Sequence, residues 1–192
     1  MDGRDQERGR CDHAGGGGVL LHPNGKSAVT RYGWVLAVAL ALPPALGAQD
    51  IGLPIGTRAP AVALADLDGK SVDLGRYVGK QPVLLEFWAT WCPLCQALEP
   101  ALTAAHARYG RAVQFVAIGV GVNESPASIK RHLVEHPLPF PVLFDAAGAA
   151  VRAYRAPTTS YIVVLDQTGK VTYTGAGAEQ DVATALAHVV GN

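Results

Sequence analysis

Residues 83–100 read VLLEFWATWCPLCQALEP, and this stretch decides the fold. The run from Val83 to Trp88 is apolar except for one glutamate, which is typical of a buried central strand. Cys92 and Cys95 follow directly, three residues apart, and apolar residues then recur at helical spacing as far as Gly110. The sequence therefore predicts a strand, a short loop and a helix that begins at the cysteine pair.

The position of the two cysteines predicts a different chemistry for each. Cys92 falls at the helix N-terminus, where unpaired backbone N–H groups and the helix dipole stabilise a thiolate. Cys95 lies one helical turn further on, where it can attack a mixed disulfide at Cys92 and release the product. We therefore predict that Cys92 is the nucleophile and Cys95 the resolving cysteine of a redox-active disulfide.

Glu86 is the charged residue inside the apolar strand. Strand alternation places it on the same face as Leu84 and Trp88, and burial would raise the pKa of its carboxyl. From behind the cysteine pair, Glu86 could accept the proton of Cys95. The alternative is a glutamate at an edge of the sheet that reaches solvent.

Strand and helix patterns alternate along residues 49–192, which we interpret as one domain. An entry loop precedes a β-hairpin with strands at Ala61–Leu64 and Ser71–Asp73, and a second hairpin turns at Gln167–Gly169. Between them, buried strands alternate with helices, the second of which has Ser125 as its N-cap. This order predicts a three-layer α/β/α sandwich with a mixed central sheet.

The N-terminal residues 1–48 have the pattern of an extension followed by a secretory signal peptide. A basic residue precedes about nine apolar residues, a Pro-Pro break and small residues that end at Ala48, after which we expect cleavage. A retained membrane anchor is the alternative, although a span needs roughly 20 residues. Residues 1–28 are polar and glycine-rich, and we expect translation to start at Val29; the alternative is that these residues form a long N-terminal region of the signal peptide.

The amino-acid composition indicates the size of the fold and limits the kinds of partner that we expect. The chain has 192 residues, 49% of them hydrophobic, with 16 Lys and Arg against 16 Asp and Glu. This size favours one globular domain with a substantial core. No basic run is interleaved with aromatic residues, so we expect no nucleic acid partner. An exported, oxidising location would allow the cysteines to form a disulfide.

The stretch VLLEFWATWCPLC resembles the active-site strand and loop of the thioredoxin superfamily, FWA-x-WC-x-x-C. Glu86 falls where cytosolic thioredoxins carry a buried aspartate. The entry GTRAP at residues 56–60, the hairpin DLDGKSVDL and the region Val113–Asp145 resemble the TlpA-like branch of exported bacterial thiol–disulfide oxidoreductases. The resemblance covers roughly residues 51–192.

The resemblance implies a thioredoxin-like fold and a disulfide reductase for exported protein thiols, of the cytochrome c maturation type. It implies a cis-proline at Pro157 that faces the cysteines, with Trp91, Pro93 and Ala156 at the substrate. It also implies a periplasmic monomer without a cofactor, kept reduced by a membrane-bound electron donor and tethered to the inner membrane if the signal is uncleaved. Many relatives have a glutamate three residues after the second cysteine, where this chain has Leu98 followed by Glu99.

Three other interpretations remain open at this point. A peroxiredoxin-like thiol peroxidase would carry proline and threonine or serine where this chain has Leu85 and Ala89. A zinc site needs about four ligands, and we expect the helical histidines (His106, His132, His136 and His188) to be solvated. In a non-catalytic, partner-binding module, Cys92–Cys95 would be only a structural disulfide, although a disulfide that closes so short a loop adds little stability.

Overall fold

The computed structural model describes residues 52–191. The predicted signal peptide, its predicted cleavage site and the predicted start at Val29 lie outside these residues. In chain order the elements are β1 (Ala63–Asp66), β2 (Ser71–Asp73), a 3-10 helix (Leu74–Arg76), β3 (Val83–Trp88), α1 (Pro93–Tyr109), β4 (Gln114–Val120), α2 (Pro126–Glu135), β5 (Val142–Asp145), α3 (Ala149–Ala153), β6 (Tyr161–Leu165), β7 (Val171–Ala176) and α4 (Val182–Val190). Among these residues, no helix is both long and apolar enough to cross a membrane.

The strands form one mixed sheet in the order β2-β1-β5-β4-β3-β6-β7. The central strands β3, β4 and β5 are parallel, and β6 runs antiparallel to β3. The hairpin partners β2 and β7 occupy the two edges. The predicted mixed sheet with an N-terminal hairpin is confirmed, and β3 lies inside it, paired on both sides.

Two apolar cores cover the two faces of the sheet. Leu84 and Trp88 of β3 face one core, which α1, α2 and α4 close. Leu85 and Phe87 face the other core, which α3, the 3-10 helix and the segment before β1 close. Successive strand residues point to opposite faces, so the alternation of β3 decides which side chains approach the cysteine helix.

The first strand differs from its prediction by two residues. It covers Ala63–Asp66 rather than Ala61–Leu64. The strand continues to Asp66 because the turn begins there: the Asp66 carboxylate accepts hydrogen bonds from the backbone N–H groups of Asp68 and Lys70, each at 2.9 Å. Gly69 takes a left-handed φ of 84° in this turn. The predicted second strand, Ser71–Asp73, is confirmed.

Candidate active site

The cysteine pair lies at the start of α1, just after the short loop that follows β3. Cys92 is the N-cap of α1, and the backbone N–H of Cys95 donates to Cys92 Sγ at 3.1 Å. The two cysteines form a disulfide, with Cα atoms 5.3 Å apart. Pro93 takes the first helical position, where its missing N–H costs nothing. The local sequence therefore places the sulfur of Cys92 among the free N–H groups that begin a helix.

The Trp91 side chain forms part of the surface beside the disulfide. It is 47% exposed, whereas Trp88 is 5% exposed. The indole Nε1–H of Trp91 donates to the backbone carbonyl of Val122 at 2.9 Å, which holds the ring against the loop after β4. Leu94 and Val122 are also exposed, 49% and 58% respectively. An apolar surface therefore surrounds the cysteine pair.

A groove of about 290 Å³ opens next to Trp91, lined by Trp91, Val120, Val122, Val151, Ala156, Pro157, Thr158 and Thr159. None of these side chains is charged. The predicted substrate contacts Trp91 and Ala156 therefore share one groove with Pro157, whereas Pro93 lies outside it at the start of α1. The isomer of the bond before Pro157 stays a prediction.

The loop that carries Pro157 is bounded by two residues in the left-handed region. Arg155 has a φ of 50° and Ser160 a φ of 60°. Such conformations cost about 1–3 kcal/mol for residues other than glycine and persist only where neighbours enforce them. The segment after β7 holds Ser160 in this conformation, because the Ser160 hydroxyl donates to the carbonyl of Gly177 at 2.9 Å and the Ser160 carbonyl accepts from Gln180 Nε2 at 3.0 Å.

Glu86 lies behind the disulfide and is 3% exposed. It lines a small cavity together with Cys95 and Trp88, and Glu99 lies on the outer side. Burial, assisted by the negative charge of Glu99, raises the pKa of Glu86 to about 8 from an ordinary value of 4.5. The alternative of a glutamate that reaches solvent from the sheet edge is therefore wrong. At pH 7 the Glu86 carboxyl is therefore mostly protonated.

Glu124 is a site residue that the sequence reasoning missed. Its carboxylate accepts from both the backbone N–H of Thr90, at 2.8 Å, and the hydroxyl of Thr90. Its second oxygen accepts from the hydroxyl of Ser128 at 2.7 Å. Glu124 thus ties the loop before Cys92 to the first turn of α2. The one available signal was its position next to the helix cap Ser125.

The expectation that the histidines are solvated is wrong for two of the four. His106 is half-buried against Phe115 and Phe140, with ring centroids 5.1 and 5.5 Å away. His132 is half-buried against Trp88. Aromatic faces cover these rings because both helices pack over the same core. Within residues 52–191, no three His, Cys, Asp or Glu side chains are grouped so that they could hold a metal ion.

Residues 54–189 match the Redoxin family. The chain is 29% identical over 136 residues to the thiol-disulfide oxidoreductase ResA of Bacillus cereus, which covers 70% of this chain and 77% of that protein. It is 31% identical over 126 residues to the thioredoxin-like protein YneN of Bacillus subtilis, which covers 64% of this chain and 72% of that protein.

Solved structures agree with these relatives. A putative thiol:disulfide interchange protein DsbE from Chlorobium tepidum superposes with a TM-score of 0.60 at 28% identity, over 72% of this chain and 96% of that one. A secreted Mycobacterium tuberculosis disulfide oxidoreductase, homologous to E. coli DsbE, superposes with a TM-score of 0.57 at 28% identity, over 66% and 95% of the two chains. The chain therefore belongs to the Redoxin family and is a TlpA-like thiol–disulfide oxidoreductase of the thioredoxin superfamily.

Proposed function

We propose that this oxidoreductase is a reductase for disulfides of exported proteins, of the type that serves cytochrome c maturation. The likeness to ResA and DsbE proteins supports thiol–disulfide exchange, and the description of one solved relative as secreted supports an exported location. The reductive direction rests on the resemblance to the TlpA-like branch. The protein would act as a periplasmic monomer without a cofactor. A membrane-bound dithiol donor would return it to the reduced state, and a retained segment before residue 49 would tether it to the inner membrane.

The observation that carries the proposal is the hydrogen bond from the Cys95 N–H to Cys92 Sγ at the start of α1. In the reduced protein the same N–H stabilises a Cys92 thiolate. That thiolate attacks one sulfur of a substrate disulfide, and the other substrate sulfur leaves as a thiolate. The product is a mixed disulfide between Cys92 and the substrate.

Cys95 completes the exchange. Its thiol loses a proton, its sulfur attacks Cys92 Sγ, and the second substrate sulfur leaves as a thiolate. The substrate gains two electrons and the protein ends with the Cys92–Cys95 disulfide. Glu86 is the proposed acceptor for the Cys95 proton, since both residues line the same buried cavity.

The groove beside Trp91 is the proposed place for the substrate chain next to its reacting cysteine. Its uncharged lining favours small or apolar side chains over charged ones. The proposed cis-proline, Pro157, would expose the backbone at Ala156 for pairing with an extended substrate segment. Pro93 and Leu94 would contact the substrate from the opposite side of the disulfide.

Trapping tests this mechanism. In the Cys95→Ser variant the mixed disulfide at Cys92 cannot be resolved, so covalent complexes with substrate proteins should accumulate and should be released by dithiothreitol. The matched Cys92→Ser variant retains the buried Cys95 and should trap far less. Equal trapping by both variants, or none by either, would mean that the pair does not work in this order.

The reduction potential tests the direction. Equilibration in glutathione or dithiothreitol buffers, with the thiol state read by mass, should give one two-electron transition below about −220 mV. A transition near about −120 mV would make the protein an oxidant. The absence of a reversible transition would favour the non-catalytic module instead.

A further inference from the structure

The cavity behind the disulfide has features that the thiol exchange itself does not explain. Its volume is about 20 Å³, and we call it the Glu86 cavity. Three elements enclose it: β3, the first turns of α1, and the end of α2 with the loop that follows. Its polar and titratable lining consists of Glu86, Trp88, Cys95, Gln96, Glu99 and the pair His132 and His136.

Trp88 supplies the first independent observation. Within residues 52–191, its indole nitrogen is the one fully buried side-chain nitrogen or oxygen that has no hydrogen-bond partner. A buried N–H without a partner costs about 1–3 kcal/mol. One buried water needs about 10–15 Å³ of space and two or more polar partners. The Glu86 cavity has that space, and both Trp88 and Glu86 line it.

The two histidines that line the Glu86 cavity supply the second observation. His132 lies in the last turn of α2 and His136 is the C-cap of that helix, and their rings stack with centroids 4.6 Å apart. His132 also packs on Trp88, with centroids 5.8 Å apart, and His136 is exposed. The two stacked imidazoles therefore lie between the cavity wall and solvent, and imidazole can in general take up and release a proton near neutral pH.

We propose that the proton accepted by Glu86 leaves for solvent through a water held by Trp88 and through the His132–His136 pair. The proposal rests on the function proposed above, in which Cys95 gives its proton to Glu86. Glu86 then gives that proton to the water, which gives one to His132, and His136 or solvent removes it. Only protons move, so no other reactant is consumed.

The groups around Glu86 limit the possible routes. Besides Cys95 and the two histidines, Glu99 on α1 is the titratable residue that lines the cavity with Glu86. The strands beside Glu86 contribute Ala117 and Ile162 at its register positions, which are apolar and cannot carry a proton. The strand side of the cavity therefore offers no polar way out for the proton, whereas the histidine side does.

Rapid oxidation of the reduced protein by excess glutathione disulfide, followed by tryptophan fluorescence, tests the proposal. In the wild type, fast proton exchange should make closure of the Cys92–Cys95 bond a single exponential. In the His132→Asn/His136→Asn variant, only molecules with ionised Glu86 should react at once. The fast phase should then have the smaller part of the amplitude at pH 7, because the pKa of Glu86 is raised to about 8. This amplitude should grow with pH, and added imidazole should restore one phase.

The controls separate a proton path from a structural effect. His188→Asn removes a histidine from α4 and should leave one exponential. The single His136→Asn variant changes an exposed residue, so it should fold and still show part of the slow phase. A double variant with one exponential at the wild-type rate, or a uniform slowing that imidazole does not reverse, would overturn the proposal.

A crystal structure of the oxidised protein tests the water directly. It should contain a water within hydrogen-bond distance of both Trp88 Nε1 and the Glu86 carboxyl, and a dry cavity would overturn this part of the path. A failure of the proposed function is distinguishable from these outcomes. In that case the wild-type protein would form no Cys92–Cys95 bond with glutathione disulfide at any pH.

Discussion

Replacing Glu86 by glutamine should stabilise the protein while impairing its chemistry. The folded state holds the Glu86 proton up to a pKa of about 8, whereas the unfolded chain releases it near 4.5. Between these values the unfolded state binds fewer protons, so the free energy of unfolding falls by about 1.4 kcal/mol per pH unit. Between pH 4.5 and pH 7 the free energy of unfolding of the wild type therefore falls by about 3 kcal/mol. Glutamine does not ionise, so Glu86→Gln shows no such fall.

The assay is urea denaturation of the oxidised wild type and of Glu86→Gln at pH values from 4.5 to 8.5. The two proteins should have similar free energies of unfolding at pH 4.5, and the variant should become progressively more stable up to about pH 8. The same change should slow the resolving step by about 100-fold, the scale of a lost general base. The exposed Glu135→Gln variant on α2 serves as the control and should show a constant difference.

A difference in stability between the wild type and Glu86→Gln that does not change with pH would refute the reasoning. It would mean that Glu86 ionises as easily in the folded protein as in the unfolded chain. A variant that gains stability but keeps the wild-type rate of resolution would leave the burial argument intact. It would remove Glu86 from the proposed proton transfer.

Two further predictions concern the loops around the disulfide. Glu124→Ala removes the carboxylate that binds both Thr90 and Ser128, so the free energy of unfolding measured in urea should fall by about 1–3 kcal/mol. An effect no larger than that of Glu135→Ala would mean that these hydrogen bonds do not stabilise the fold. Val122→Asp places a charge in the apolar groove and should lower kcat/KM for protein disulfides at least several-fold, while reduction by dithiothreitol stays unchanged. Val134→Asp, on the exposed face of α2, is its matched control, and equal losses in both variants would argue against the groove.

Much of the fold was predictable because its signals are local. The apolar run of β3, the cysteine motif and the proline after Cys92 specify a strand and a helix start within a dozen residues. Alternation along β3 placed Glu86 on the face of Leu84 and Trp88, and the structure has it in one cavity with Trp88. The limits of β1 were less predictable, because the carboxylate of Asp66 closes a turn whose geometry the pattern does not specify.

The order of elements, the helix start at Cys92 and the buried carboxyl beside the cysteine pair all follow from local sequence patterns. The groups that surround that carboxyl depend on tertiary packing. His132 and His136 are more than forty residues from Glu86 in sequence, and they reach its cavity because α2 packs over the same face of the sheet as α1. Their half-buried stacking escaped prediction for the same reason. Periodicity specifies which face of a helix is apolar, whereas the neighbours of that face depend on how distant segments pack together.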